Sequence, residues 1–203
     1  MFMVAIITGD IVDSRKVAPE VWLPALKKYL HEHTSNKDFW EIYRGDSFQA
    51  EVPVEDALRA ALSIKALVKT NSIIDVRMSI GIGDKIFDGR KITESNGTAF
   101  INSGESFERI KNLTLIMQTP NAEFDEYFNP ILRLIGFIGN QWKPVTAQTV
   151  HYALTHPELL QKEIAARMSK DKTTVNKALK RGGYDEILEV LELYSKKVRS
   201  WAN

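Results

Sequence analysis

The order of the apolar segments over residues 3–82 restricts the fold more than any other feature of this chain. Residues 3–8 form a continuous apolar run, the pattern of a buried central strand. Residues 20–33 follow with Trp22, Ala25, Leu26, Tyr29 and Leu30 at helical spacing. Residues 39–43 and 48–52 predict two short strands on either side of Arg44-Gly45-Asp46, a tight hairpin turn. Pro53 suits the first turn of a helix reaching residue 69, with Ala57, Leu58, Ala61, Leu62 and Ile64 facing inward. Val76, Met78, Ile80 and Ile82 then alternate with polar or small residues, as in a half-buried strand. The order strand, helix, strand, strand, helix, strand is the ferredoxin-like βαββαβ arrangement, and the expected class is α+β.

That arrangement has a chemical consequence. Its first and third strands are antiparallel neighbours, so the end of the first lies beside the start of the third. Asp10 ends the first and Asp46 precedes the third, although 35 residues lie between them. Two carboxylates at one point are costly unless a positive charge sits between them, and Mg²⁺ bridging to a phosphate meets that need. The backbone carbonyl of Ile11 adds a third oxygen. The amides of residues 12–14, starting at Val12, with the Ser14 hydroxyl and Arg15, face phosphate oxygens; Arg44 in the hairpin is a further nucleotide-binding candidate. The alternative is structural: Asp10 caps a loop and Asp46 makes the hairpin turn.

Beyond Gly83 the sequence predicts a second hairpin at Asp88-Gly89-Arg90, a helix over 99–111 and a strand over 113–118. A first domain therefore spans residues 1–120. Residues 121–142 form a linking helix carrying Phe124, Phe128, Ile131, Leu132, Leu134, Ile135 and Ile138. It is apolar enough to need cover on more than one side, from a dimer contact or a domain seat. Residues 143–203 read as an all-α domain of short helices at 146–155, 159–168, 172–181 and 184–200, with Gly182-Gly183 as a helix stop.

The net charge of +1 hides an asymmetry: residues 143–203 hold 11 Lys/Arg against 7 Asp/Glu, and residues 1–142 hold 16 against 19. The C-terminal part is the candidate for an anionic partner. Within it, Glu163-Ile164-Ala165, a short turn, then Thr174-Val175 and Leu179 follow the pattern of a DNA-binding helix-turn-helix. Ile164, Val175 and Leu179 pin the helices and Ala165 lets them cross closely. This leaves Lys170, Lys172, Thr173, Thr174, Asn176, Lys177, Lys180 and Arg181 available to DNA. Residues 159–181 carry 7 basic and 2 acidic side chains. The lysines and arginine suit phosphates, and Asn176 or Lys177 suits base edges in the major groove. The competing reading is a helical hairpin with a solvated basic face.

The absence of cysteine excludes disulfides, thiolate metal sites and cysteine nucleophiles. No basic leader precedes the first strand and no apolar run approaches the ~20 residues of a membrane span. The expectation is a cytoplasmic protein with no membrane partner. His31 and His33 do not share a helix face, and Gly81-Ile82-Gly83 has no third glycine opening a helix.

Asp10-Ile11-Val12 after an apolar strand, Gly45-Asp46 in a hairpin, and Val76-Arg77-Met78-Ser79-Ile80-Gly81-Ile82 resemble class III nucleotidyl cyclases. The Arg44-Gly45-Asp46-Ser47-Phe48 turn also resembles the hairpin of diguanylate cyclases. Over its whole length the chain is most similar to the SatD family of bacterial proteins, which join a cyclase-like domain to a C-terminal helix-turn-helix. The resemblance implies a DNA-binding regulator with a nucleotide- and Mg²⁺-sensing or dimerising domain, and a homodimer is expected because helix-turn-helix proteins usually bind as dimers. The alternatives are a Mg²⁺-dependent cyclase or related phosphoryl-transfer enzyme, and a non-catalytic scaffold. Cyclases place a lysine four residues before the hairpin aspartate, where this chain has Ile42. They also carry a Gly-x-Ala-Val-Asn-x-Ala-x-Arg pattern. Gly97-Thr98-Ala99-Phe100 begins the match, but Ile101 stands for the asparagine, with Asn102 one place late. Glu105 stands for the arginine, leaving Arg109 one turn on as the catalytic candidate. Phosphoryl transfer needs positive charge on the developing negative charge, so the expected outcome is sensing with little or no turnover.

Overall fold

The computed structural model describes residues 3–36, 38–111 and 114–202. It is a mixed α+β fold with one five-stranded sheet and, among the described residues, eight α-helices. Strand β1 (Met3–Val12) leads through a 3₁₀ turn at Ser14–Lys16 to helix α1 (Pro19–His33). The hairpin of β2 (Trp40–Tyr43) and β3 (Ser47–Val52) follows, then α2 (Ala57–Val68) and β4 (Asp75–Asp84). Arg44 and Gly45 turn the hairpin with φ of 54° and 91°, a backbone that glycine adopts without steric cost at the second position. Helix α3 (Thr98–Arg109) and β5 (Leu115–Gln118) complete the sheet half; Leu113, expected to open the fifth strand, lies outside the described residues. Residues 85–96 form a loop closed by a single bridge between Phe87 and Asn96 and a 3₁₀ turn at Ile92–Glu94, in place of the expected second hairpin.

The sheet order is β2-β3-β1-β4-β5. The first four strands are antiparallel to their neighbours, and β5 joins β4 in parallel. Register follows the hydrophobic pattern, since residues opposite one another share a face. Ile7 sits between Ala50 and Ile80, and Gly9 between Phe48 and Met78, giving an apolar face. On the other face Thr8 sits between Gln49 and Ser79, and Asp10 between Ser47 and Arg77.

Helices α1 and α2 belong to the core of the apolar face. Helix α3 lies on the polar face over β4, tightly enough that a Cβ on Gly81 would collide with the backbone of Ala99 and Ser103. There the hydroxyls of Thr8 and Ser103 share a buried hydrogen bond of 3.0 Å, and Ser79 Oγ donates to the Ser103 carbonyl at 2.6 Å.

The chain continues through α4 (Ala122–Asn140), α5 (Pro144–Thr155), α6 (Gln161–Arg167), α7 (Lys172–Gly182) and α8 (Tyr184–Ala202). The apolar core is continuous from the sheet to these helices. Helix α2 packs against α5 as well as the sheet, which explains its burial nearly all round. Polar contacts also tie the halves together, three of them far apart in sequence and partly buried. Tyr194 donates to the Val54 carbonyl at 2.7 Å, His151 Nδ1 lies 3.0 Å from the Ser63 carbonyl, and Lys65 Nζ donates to Asn140 Oδ1 at 2.6 Å. No described helix is long and apolar enough to cross a membrane.

Candidate functional site

Asp10 and Asp46 converge as the element order requires. Ser47 pairs with Asp10 across β1 and β3, and the Ile11 amide donates to the Asp46 carbonyl at 3.1 Å. Both aspartates line a cleft of about 680 Å³, with Ile11, Val12, Asp13, Ser14, Arg15, Lys16, Arg77, Lys111 and Thr114. The turn after β1 explains how so many groups meet. Asp13 adopts φ 61°, left-handed, and the next three residues form a 3₁₀ turn. A left-handed residue followed by a helical turn points successive amides into one concavity, an anion-binding nest. The Ser14 side chain folds back from that turn and donates to Asp46 Oδ2 at 2.6 Å.

The charges are interleaved. Arg77 holds Asp10, while Lys16 pairs with Asp13 at 3.1 Å. Arg77 also lies over the Phe107 ring at 5.6 Å, a cation–π contact that fixes the guanidinium on the α3 side. Among the described residues no group of three or more His, Cys, Asp or Glu converges to hold a metal. The oxygen donors of Asp10 and Asp46 nevertheless suit a hard cation, because Mg²⁺ is held by one or two carboxylates with ligand phosphates completing its shell. Four cations, Arg15, Lys16, Arg77 and Lys111, stand round the same cleft.

Two arginines that the motifs suggest for this site lie away from the cleft. Arg44 is exposed at the hairpin tip and does not line it. Arg109 hydrogen-bonds Gln118, which also donates to Asn102 at 3.0 Å and Glu105 at 3.2 Å. The three positions that approximate the cyclase asparagine and arginine thus form one polar cluster on α3 and β5. Arg77 and Lys111 are cleft residues that the motifs did not single out. Arg77 enters through the β1–β4 register, Asp10 opposite Arg77, which spacing along the chain cannot reveal.

The second site lies on α6 and α7. Ser169, at φ 52°, ends α6; the Lys170 amide returns to the Ala165 carbonyl at 2.9 Å, a Schellman closure. Asp171 caps α7, accepting from the Thr174 amide at 2.8 Å, and its bonds from the Thr174 hydroxyl and amide hold its carboxyl below the usual carboxylate range. Ile164, Ala165, Val175, Ala178 and Leu179 are buried between the helices. Lys172, Thr173, Lys177, Lys180 and Arg181 are exposed, and Lys170 is half-buried in the turn. Thr174 and Asn176 are engaged internally: the Thr174 hydroxyl donates to Asp171, and Asn176 Nδ2 donates to Gln161 Oε1 at 3.1 Å. The C-terminal end of α7 is fixed by Trp142, whose indole N–H donates to the Gly182 carbonyl at 3.0 Å.

The molecule is therefore an α+β protein with a mixed-charge cleft at one sheet end and a basic helix face. No family model matches the chain, and comparisons with curated proteins and with solved structures give no significant match.

Proposed function

We propose that this chain is a DNA-binding transcriptional regulator of SatD type. In this reading residues 1–120 are a ferredoxin-like, cyclase-related sensing domain, residues 121–142 link it, and residues 143–203 are the helix-turn-helix domain. The strand order β2-β3-β1-β4, antiparallel throughout, is what a ferredoxin-like core requires. The observation that carries DNA binding is the exposed row Lys172, Thr173, Lys177, Lys180 and Arg181 on α7, whose other face is pinned against its neighbours. A basic helix held rigidly by a short turn is the unit that enters a major groove, with lysines supplying phosphate contacts.

The cleft would take a phosphate-bearing nucleotide. Asp10 and Asp46 would hold Mg²⁺, which when bound neutralises phosphate charge. Arg15 and Lys111 with the amides after Asp13 bind phosphate oxygens, and Ser14 keeps Asp46 oriented. The reading assigns sensing and not turnover: Asn102, Glu105 and Arg109 are occupied on Gln118, and Ile42 replaces the base-reading lysine.

Gel-shift titration of the full chain against genomic fragments at two salt concentrations tests the proposal. Binding should weaken steeply with salt. Lys172→Ala or Lys180→Ala should weaken all sequences alike and flatten the salt slope by about one unit. A folded protein that binds no DNA at low salt overturns it.

A further inference from the structure

Helix α4 carries two apolar stripes. One is used internally: Phe124, Phe128, Leu132 and Ile135 are buried, with Phe128 edge-on to Tyr194 at 5.8 Å and Phe124 edge-on to Trp201 at 5.2 Å. The other faces outward. Tyr127, Leu134 and Phe137 are 67%, 67% and 68% exposed, and Pro130 between them is exposed too. Positions 127, 130, 134 and 137 alternate steps of three and four residues. That is the narrow seam of a two-helix coiled coil, not a broad core-facing stripe. Single exposed apolar residues are ordinary on a protein surface; a seam of large ones along a single helix marks an interaction site.

We propose that this seam joins two copies of the chain, α4 lying antiparallel to α4 of the second copy about a two-fold axis. Area, charge and shape each commit the face to a second copy. An aromatic side chain offers ~150–250 Å². The exposed parts of Tyr127, Leu134 and Phe137 therefore supply roughly 400 Å² per copy, about half of the ~800 Å² that a standard interface takes from each partner. The rest would come from the polar side chains flanking the seam and from the edge of α8, where Leu193, Lys197 and Trp201 adjoin Tyr127.

Charge selects the direction. Glu123, Asp125 and Glu126 crowd the start of α4, while Arg133 lies in its second half and Lys143 just beyond its end. Parallel packing would stack the acidic start of one helix on that of the other; antiparallel packing separates the two and opposes the helix dipoles. Shape selects the register. A cleft of about 290 Å³ opens between α4 and α8 beside Tyr127, lined also by Glu123, Leu193, Lys197 and Trp201. With Leu134 opposite Pro130 of the second copy, Tyr127 meets Phe137 of the second copy, whose ring enters this cleft. The two-fold makes each copy both insert and receive, as an isologous contact requires. The seam on α4 and the cleft it shares with α8 carry this reading without any reliance on DNA binding.

Sedimentation equilibrium of the full chain tests it. The wild type should be a dimer at micromolar concentration. Leu134→Glu should raise the dimer dissociation constant by roughly tenfold or more and leave the melting temperature of the monomer unchanged. A wild-type monomer at that concentration, or a dimer indifferent to Leu134→Glu, overturns the proposal. The register is tested by cross-linking, since the chain has no cysteine of its own. Tyr127→Cys and Phe137→Cys proteins, mixed and oxidised, should link to each other and neither to itself. Self-linking of either, or no link in the mixture, overturns the antiparallel arrangement.

Discussion

Arg77 grips a single oxygen of Asp10: Nε lies 3.1 Å and Nη2 2.9 Å from Oδ2. The guanidinium occupies the carboxylate that a divalent cation would claim, so Arg77 and a metal compete for Asp10 unless a phosphate draws the arginine away. Arg77→Ala should therefore strengthen binding of Mg²⁺ alone and weaken binding of nucleotide with Mg²⁺. The cost to the fold should be small, about 0.5 kcal/mol, because the pair is partly exposed. Calorimetric titration of both ligands checks the opposite signs; loss of both would mean that Arg77 acts only by supporting the cleft.

Gly81→Ala tests how α3 sits on the sheet. The added Cβ would meet backbone atoms of Ala99 and Ser103, which cannot rotate aside. Helix α3 must lift from β4, straining the Thr8–Ser79–Ser103 hydroxyl cluster. The expected loss is about 1–3 kcal/mol by urea denaturation. Gly104→Ala, with open space around it on the same helix, is the control and should stabilise by about 0.5–1 kcal/mol.

Lys65 gives the fold an alkaline signature. Its Nζ is buried and donates to Asp75 Oδ1 at 2.5 Å and to Asn140 Oδ1. Burial lowers its pKa, only partly offset by Asp75. Between the lowered folded value and the ordinary value of about 10.4, the unfolded chain binds more protons than the folded one. Stability should therefore rise with pH through that window, and the rise should vanish in Lys65→Met. At neutral pH that variant should lose about 1–3 kcal/mol by leaving Asn140 without its donor and Asp75 with the Val76 amide at 2.7 Å and one cation, Lys69 at 3.4 Å. Urea titrations from about pH 7 to pH 10 read both effects.

Asn176→Ala separates two roles on α7. Because Asn176 bonds Gln161 across the turn, its loss should cost about 1 kcal/mol of stability. DNA affinity should fall by a similar factor on all sequences. A penalty of about 1–3 kcal/mol confined to one site would instead assign it to base reading.

The antiparallel pairing of the first and third strands, and with it the meeting of Asp10 with Asp46, is legible in the sequence because the order of elements decides which strands are neighbours. Helix α7, expected over 172–181, is legible to within a residue because Val175 and Leu179 repeat at helical spacing, whereas α6, expected over 159–168, runs only Gln161–Arg167. What could not be read depends on register or on a third layer. The partnership of Arg77 and Asp10 is set by the cross-strand pairing. The burial of Ala60, Ser63, Lys65 and Ala66 on the remaining sides of α2 exists only because α5 covers them. Small side chains leave the amphipathic pattern nearly silent about such a second cover. Likewise the capture of Arg109 by Gln118 joins the end of α3 to the end of β5, and nothing in the motif foretells it.

The shared cover of α2 also limits how this gene product can be cut and recombined. A fragment ending near residue 142 would strip α5 from α2 and leave the carbonyls of Val54 and Ser63 facing water without Tyr194 and His151. Neither the sheet part nor residues 143–203 can be lifted off as an independent cassette, because one apolar core runs through both. A ligand in the cleft and a ligand on α7 would therefore meet one packed body, since Val175 and Leu179 belong to the same core as the sheet.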